Sequence, residues 1–410
     1  MKLLTILAWR NLWRHARRTV LTILAVFFAT FLTVVMRGLT IGTWEFNVKN
    51  SVEMFSGYLQ VQRTGYQDSP SLQKCFAYDS ALQARIMAVP RVHALAPRVQ
   101  ADGLVSCRGN SSGGIVLGID PASEQRISRF AQRVNAGTFF GLGSTDEVVV
   151  GYRLMENLRA RIGDTIVVLA QGYDGVMGNQ KFRVSGTVKL GAPEFDDMAV
   201  LMDIRAAQGL LALEGRVHVL AIALATLKDI EPARRAIASL LPDDGTRSVL
   251  SWDEVLPELR QAMDLDQATG WLFLGILIVV VAFGILNTVL MSVTERFREF
   301  GVSLAVGMRP GRLARLVALE TAFLAAIGIA SGALLGWLVN LYVALNPILL
   351  TGEFGAIYEE YGFVPQLMAT ASPEVVTLVC WIMLLVSFLA GLYPAYRVLK
   401  LEPLKGMRYT

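Results

Sequence analysis

Histidine and cysteine are both scarce, with three of each in 410 residues. They do not cluster, so no run has the Cys/His spacing of a metal centre. Charge is also thin, at 18% of residues. The glycine-rich stretches 137–145 and 307–312 lack the G-x-x-x-x-G-K-[ST] order that cradles phosphates. The chain therefore has no ATPase motif of its own. The net charge of +4 is concentrated in short segments beside apolar runs. That pattern fits anionic lipid headgroups and not nucleic acid.

One motif imitates a catalytic one. Gly109-Asn110-Ser111-Ser112-Gly113 matches G-x-S-x-G, but that elbow needs a strand before it and a helix after it. Here the strand-like run 115–119 follows, so residues 108–114 are read as a hairpin turn. His93 and His218 are the available bases, and no acid is placed near either by sequence. A membrane-bound hydrolase using Ser111 stays as an alternative, and so does a scaffold that moves no cargo.

Long apolar runs dominate what is present, consistent with 53% hydrophobic residues and a mean hydropathy of +0.46. Residues 19–36, 267–291, 321–352 and 375–396 contain no charged side chain. About 20 apolar residues of helix cross a bilayer core, so four spans are expected. Lys/Arg bias sets orientation. Lys2, Arg10, Arg14, Arg17 and Arg18 precede the first run, five Arg lie in residues 295–315, and Arg397, Lys400, Lys405 and Arg408 close the chain, whereas residues 346–373 carry only Glu. The termini and the segment near 295 are expected on the cytoplasmic side. The first run is an uncleaved anchor in preference to a signal peptide, because no A-x-A site closes it.

The expected layout is an interfacial amphipathic helix over 1–18, with Ile6, Trp9 and Trp13 on one face, or else a basic flank that only sets topology. Span one covers 19–43, an outer α+β domain 44–266, and span two 267–294. A cytoplasmic coupling helix and loop take 295–314, span three 315–345, an outer loop 346–373, span four 374–397 and a tail 398–410. Within the outer domain, residues 57–63, 115–119, 147–150, 165–170, 182–189 and 198–202 read as strands, and 80–88, 152–160, 230–241 and 252–263 as helices. Cys75 and Cys107 both lie outside, where a disulfide is possible, and spacing leaves the pairing open.

Several side chains stand out. The charged segment between spans two and three puts Phe297, Phe300 and Leu304 on one helical face, beside Glu295, Arg296 and Glu299. That face is expected to dock a partner. Glu320 is expected to pair with an Arg of the same loop, and Asn287 to join helices. Gly328, Gly332 and Gly336 repeat at four residues and predict close helix packing, within or between subunits. Phe27, Phe28 and Phe31, with Met36 and Arg37, are the candidate contacts for a lipid or lipid-anchored cargo; Val34 is grouped with the aromatics, facing Leu274, Ile278 and Val281.

The run Glu295-Arg296-Phe297-Arg298-Glu299-Phe300-Gly301-Val302 with Ala305-Val306-Gly307, followed by 316–320 and the glycine ladder, resembles the FtsX-like permease signature of ABC transporters. Tyr393-Pro394-Ala395-Tyr396-Arg397 with Glu402-Pro403-Leu404 resembles that family's closing motif. Residues 150–164 and 182–186 look like its MacB-type periplasmic core domain. The resemblance implies four transmembrane helices with a large α+β periplasmic domain inserted between helices 1 and 2. It also implies a bacterial inner-membrane permease that converts cytosolic ATP hydrolysis into periplasmic movement. The implied partners are a cytosolic ABC ATPase dimer, which binds the ATP and Mg, and a second permease copy or paralogue, together with membrane lipids and a lipoprotein or other periplasmic cargo. MacB fuses its ATPase at the N-terminus, whereas this chain opens on its first span, so a separate ATPase chain is expected. A lipoprotein-releasing role leads; a MacB-like exporter or an ATPase-driven regulator of a periplasmic enzyme are the alternatives.

Overall fold

The computed structural model describes residues 2–14, 16–191, 193–242, 244–360 and 364–400. The motif at Glu402-Pro403-Leu404 lies outside the described residues. The chain divides into two units, one of Met1–Glu45, Met263–Leu349 and Gln366–Thr410, the other of Phe46–Ala262 and Leu350–Pro365.

The first unit is helical. Helix α1 (Lys2–Arg14) precedes α2 (Ala16–Ser51); α3 (Pro257–Glu295), the short α4 (Phe297–Ala305), α5 (Pro310–Leu345) and α6 (Pro373–Leu399) follow. Helices α2, α3, α5 and α6 are each long and apolar enough to cross a membrane. Pro310 and Pro373 occupy first-turn positions, where the missing N–H is one that no helical carbonyl would have accepted. Span hydroxyls bond back to their own helix, as Thr30 does to the Val26 carbonyl at 2.8 Å and Thr33 to Ala29 at 2.7 Å. These hydroxyl hydrogens are then satisfied inside the helix and not left to lipid.

The second unit is an α+β fold on a ten-stranded sheet. Its strands are β1 (Leu59–Arg63), β2 (Val92–Cys107), β3 (Asn110–Ile119), β4 (Val134–Gly137), β5 (Glu147–Gly151), β6 (Thr165–Gln171), β7 (Met177–Val188), β8 (Ala199–Asp203), β9 (Val219–Leu224) and β10 (Arg247–Ser251). They run in the order β10-β1-β9-β2-β3-β8-β5-β7-β4, with β6 pairing β2 and β7. Leu117, Ile119, Phe130, Val149 and Leu201 are buried together on this sheet.

Two expectations are corrected. The turn expected over 108–114 is two residues only: Arg108 and Gly109 both take positive φ, as a tight hairpin requires, and Cys107 pairs with Asn110 directly after. Ser111 is therefore a strand residue whose hydroxyl meets that of Ser106 at 3.2 Å. The helix expected over 252–263 breaks in two. Pro257 disfavours helical geometry at Leu256 (φ −120°, ψ 65°), so Trp252–Val255 stops there, capped by Ser251 and Glu254, and α3 starts anew. Cys75 and Cys107 are free and buried; Cys107 lies against the Thr165 carbonyl and Cys75 near Arg216, so the possible disulfide is not formed.

His218 is likewise structural. Its ring is buried, stacks on Tyr66, accepts the Gln100 N–H at Nδ1 and meets the Leu72 carbonyl at Nε2. Burial holds its pKa below the ordinary value.

Candidate coupling site

The short helix α4 is where the polar contacts of the first unit converge. Arg296 precedes it and is 8% exposed; Glu320 on α5 is 9% exposed. The Arg296 guanidinium donates to both Glu320 oxygens through Nη1, at 3.0 and 3.2 Å, and reaches Glu299 through Nε at 3.3 Å. The Asn11 amide of α1 donates to Glu320 at 2.8 Å. Arg296 also lies over the Phe300 ring, 4.9 Å from its centre. The expected pairing of Glu320 with a loop arginine is thus made by Arg296.

Two more ion pairs reach the same segment. Arg14 at the end of α1 meets Glu299 at 2.8 Å, and Arg18 at the start of α2 meets Glu295 at 2.7 Å. These pairs are partly or largely exposed, so each stabilises little by itself. Their importance is geometric: the junction of α3 and α4, residues 295–299, is held to α1 through Glu299, to α2 through Glu295 and to α5 through Arg296. The signal for these partners was present in the sequence. Arg14 and Arg18 are four residues apart, as are Glu295 and Glu299.

The expected docking face is turned the other way. Phe300 is 2% exposed and belongs to the helical core with Leu313, Leu316 and Val317; Phe297 and Leu304 pack against that core, half-buried. Rings of this size on a nine-residue helix bury more apolar area inward than the opposite face offers. The outward face carries Arg298, Val302 and Val306, with Val302 at 49% and Val306 at 85% exposed.

The glycine ladder packs within the chain, against α2. A Cβ at Gly328 would lie 2.8 Å from Val26 Cβ, one at Gly332 2.5 Å from the Phe27 carbonyl oxygen, and one at Gly336 2.9 Å from Val34 Cβ. One turn further, buried Asn340 donates to the Val34 carbonyl at 2.8 Å. Asn340 makes the interhelical bond expected of Asn287, which is exposed on α3.

The candidate cargo residues separate into two sets. Phe28 (53%) and Met36 (56%) face outward in a row with Leu21, Leu24 and Leu32. Phe27 and Phe31 stack on each other with centres 6.0 Å apart and are half-buried, while Val34 is fully buried. Leu274 and Val281, expected opposite them, are core residues. Arg37 lies over the Trp271 ring at 5.1 Å. Ile6, Trp9 and Trp13 of α1 are exposed, as suits a helix lying in a membrane interface.

Four spanning helices, a short charged helix between the second and third, and an α+β unit inserted after the first define the class: a multi-pass transport permease. The FtsX-like permease C-terminal model matches residues 271–403, and the MacB-like periplasmic core domain model matches 19–240. The chain belongs to the FtsX-like, MacB-type family of ABC transporter permeases. Lipoprotein-releasing system transmembrane protein LolC of Neisseria meningitidis is 29% identical over 329 residues, 77% of this chain and 78% of that one. The macrolide export ATP-binding/permease protein MacB of Bordetella avium is 24% identical over 409 residues, 96% of this chain and 58% of that one. The solved periplasmic region of MacB from Actinobacillus actinomycetemcomitans aligns with 52% of this chain and 96% of that one, at 10% identity and a TM-score of 0.38.

Proposed function

We propose that this chain is the inner-membrane permease through which a separate cytosolic ABC ATPase dimer, holding the ATP and Mg, drives lipoproteins out of the membrane. It works with a second permease, identical or paralogous. Both termini are cytoplasmic, as the Lys/Arg bias requires, which puts α4 on the ATPase side.

The observation that carries the reading is the three-way attachment of the α3–α4 junction, residues 295–299. A push on α4 passes to α1 through Arg14–Glu299, and through the α3–α4 junction to α2 by Arg18–Glu295 and to α5 by Arg296–Glu320. Helix α2 runs unbroken from Ala16 to Ser51, so it can carry displacement away from the cytoplasmic end. Similarity to LolC supports a lipid-anchored cargo. Each acyl methylene moved out of lipid costs about 0.8 kcal/mol. Extraction therefore needs an apolar surface to receive the anchor, and Phe28, Leu32 and Met36 offer one.

Docking of the ATPase is assigned to the outward face of α4. Val302→Asp with Val306→Asp should lower ATPase retention in pull-downs on the order of tenfold, the loss of one or two anchoring contacts. Melting of the permease should be unchanged, because both residues are exposed. Phe300→Ser should do the reverse, lowering melting through its loss from the core. ATPase retained at full strength by the double variant would contradict the assignment.

A further inference from the structure

Helices α5 and α6 pack antiparallel and leave a groove between them with a cavity of about 400 Å³. Its floor includes Thr321 and Ala325, and its walls include the exposed Trp381, Leu385 and Phe388. The two hydroxyls on its surface are spent inside their own helices: Thr321 donates to the Val317 carbonyl at 3.0 Å and Ser387 to Met383 at 2.8 Å. An occupant therefore meets carbon almost throughout.

The groove is long and narrow. From Trp381 to Ala395 it follows α6 for roughly 21 Å at 1.5 Å per residue. One leaflet supplies about 15 Å of hydrocarbon. An extended acyl chain of one leaflet's length fits along the groove.

Charge marks one end. Thr321 faces Gly391, where an added Cβ would be 3.1 Å from the Thr321 methyl. Six residues back along α5 from that contact is Arg315, and Arg315, Ala318, Ala322 and Ala325 form one helical row along the groove. Arg315 is exposed, and no carboxylate pairs with it among the described residues. Lys400 lies over the ring of Tyr396 at 4.8 Å, about two turns beyond groove-lining Leu392. Arg397, at the level of Arg315, is turned to the Tyr393 hydroxyl instead. The groove thus opens at the end where α5 begins and α6 finishes, beside Arg315 and Lys400, neither of which pairs with a carboxylate among the described residues.

We propose that this groove binds one anionic phospholipid, with an acyl chain between α5 and α6 and the headgroup phosphate held by Arg315 and Lys400. The site is independent of the cargo path along α2.

The test uses the full-length protein, delipidated in detergent, with native mass spectrometry to follow added phosphatidylglycerol and phosphatidylcholine. A one-to-one phosphatidylglycerol adduct is expected, about tenfold tighter than phosphatidylcholine, whose phosphate is offset by a choline cation that Arg315 and Lys400 repel. Arg315→Gln should weaken both lipids, phosphatidylglycerol the more, and so narrow the gap between them. Ala322→Trp, at an exposed groove position, should remove both adducts while the unliganded melting temperature stays the same. Ala395→Leu closes the groove from the α6 side and serves if the first variant folds poorly. Equal binding of the two lipids, no effect of Arg315→Gln, or adducts that survive both groove-filling variants would overturn the proposal. Conversion of a dimer to a monomer by Ala322→Trp, without loss of lipid, would give the groove to a second copy of the chain and also overturn it.

Discussion

Arg296→Met is expected to destabilise the permease by about 3–5 kcal/mol, because it leaves the Glu320 carboxylate buried without its cation. Asn11 would remain as the one donor to that carboxylate among the described residues, and a neutral amide does not replace a guanidinium that meets both oxygens. Glu320→Gln in the same chain should recover a large part of the loss, since the uncompensated charge is then gone. Arg296→Lys should fall between, because a single ammonium cannot bond Glu320 and Glu299 while stacking on Phe300. Thermal melting in detergent of the two single variants and the double variant gives the coupling energy directly. If Arg296→Met melted like the parent, the pair would be incidental and α4 would not be fastened to α5 as described.

The second large effect is at Gly332. Alanine is the better helix former by about 1 kcal/mol, so an open site would gain from Gly→Ala. Gly332 is closed: the new Cβ would sit 2.5 Å from the Phe27 carbonyl oxygen and 3.1 Å from the Phe31 nitrogen. Both are backbone atoms, so α2 itself must move. Overpacking of this kind costs about 1–3 kcal/mol, which outweighs the propensity gain. Gly332→Ala should therefore lower the melting temperature, and Gly332→Leu should prevent the α2–α5 contact from forming. Gly275→Ala and Gly284→Ala on α3 are the controls, since nothing lies within 4 Å of either Cβ position. They should be neutral or slightly stabilising, and a Gly332→Ala variant as stable as these two would remove the close-packing argument.

The spans were readable because length and absence of charge are local properties. The glycine ladder was readable as a packing face for the same reason, but its partner was not. Four-residue spacing says that a neighbour comes close, and only the fold shows that the neighbour is α2. Asn287 and Asn340 look alike in sequence, each alone in an apolar run; burial separates them. The orientation of α4 failed in the same way. Its nine residues offer an aromatic row and a valine row, and the larger one was claimed by the chain's own core. In the sheet, the long β2 strand went unread because Arg98, Gln100 and Asp102 interrupt its apolar pattern. Arg98 is tolerated there because Glu124, distant in sequence, pairs with it inside the core at 2.6 Å.

The central claim is that ATP-driven movement of this permease handles a lipid-anchored protein along the outward row of α2. A photo-crosslinking amino acid at position 28 or 36, both outward-facing, tests it in the assembled complex with its ATPase. Without ATP, an acylated protein should be captured at both positions, and the crosslink should fall on turnover. A probe at the buried position 34 should capture none. Crosslinks at 28 and 36 to bulk phospholipid alone, unchanged by ATP, would contradict the account and leave a role in which cargo never leaves the outer compartment.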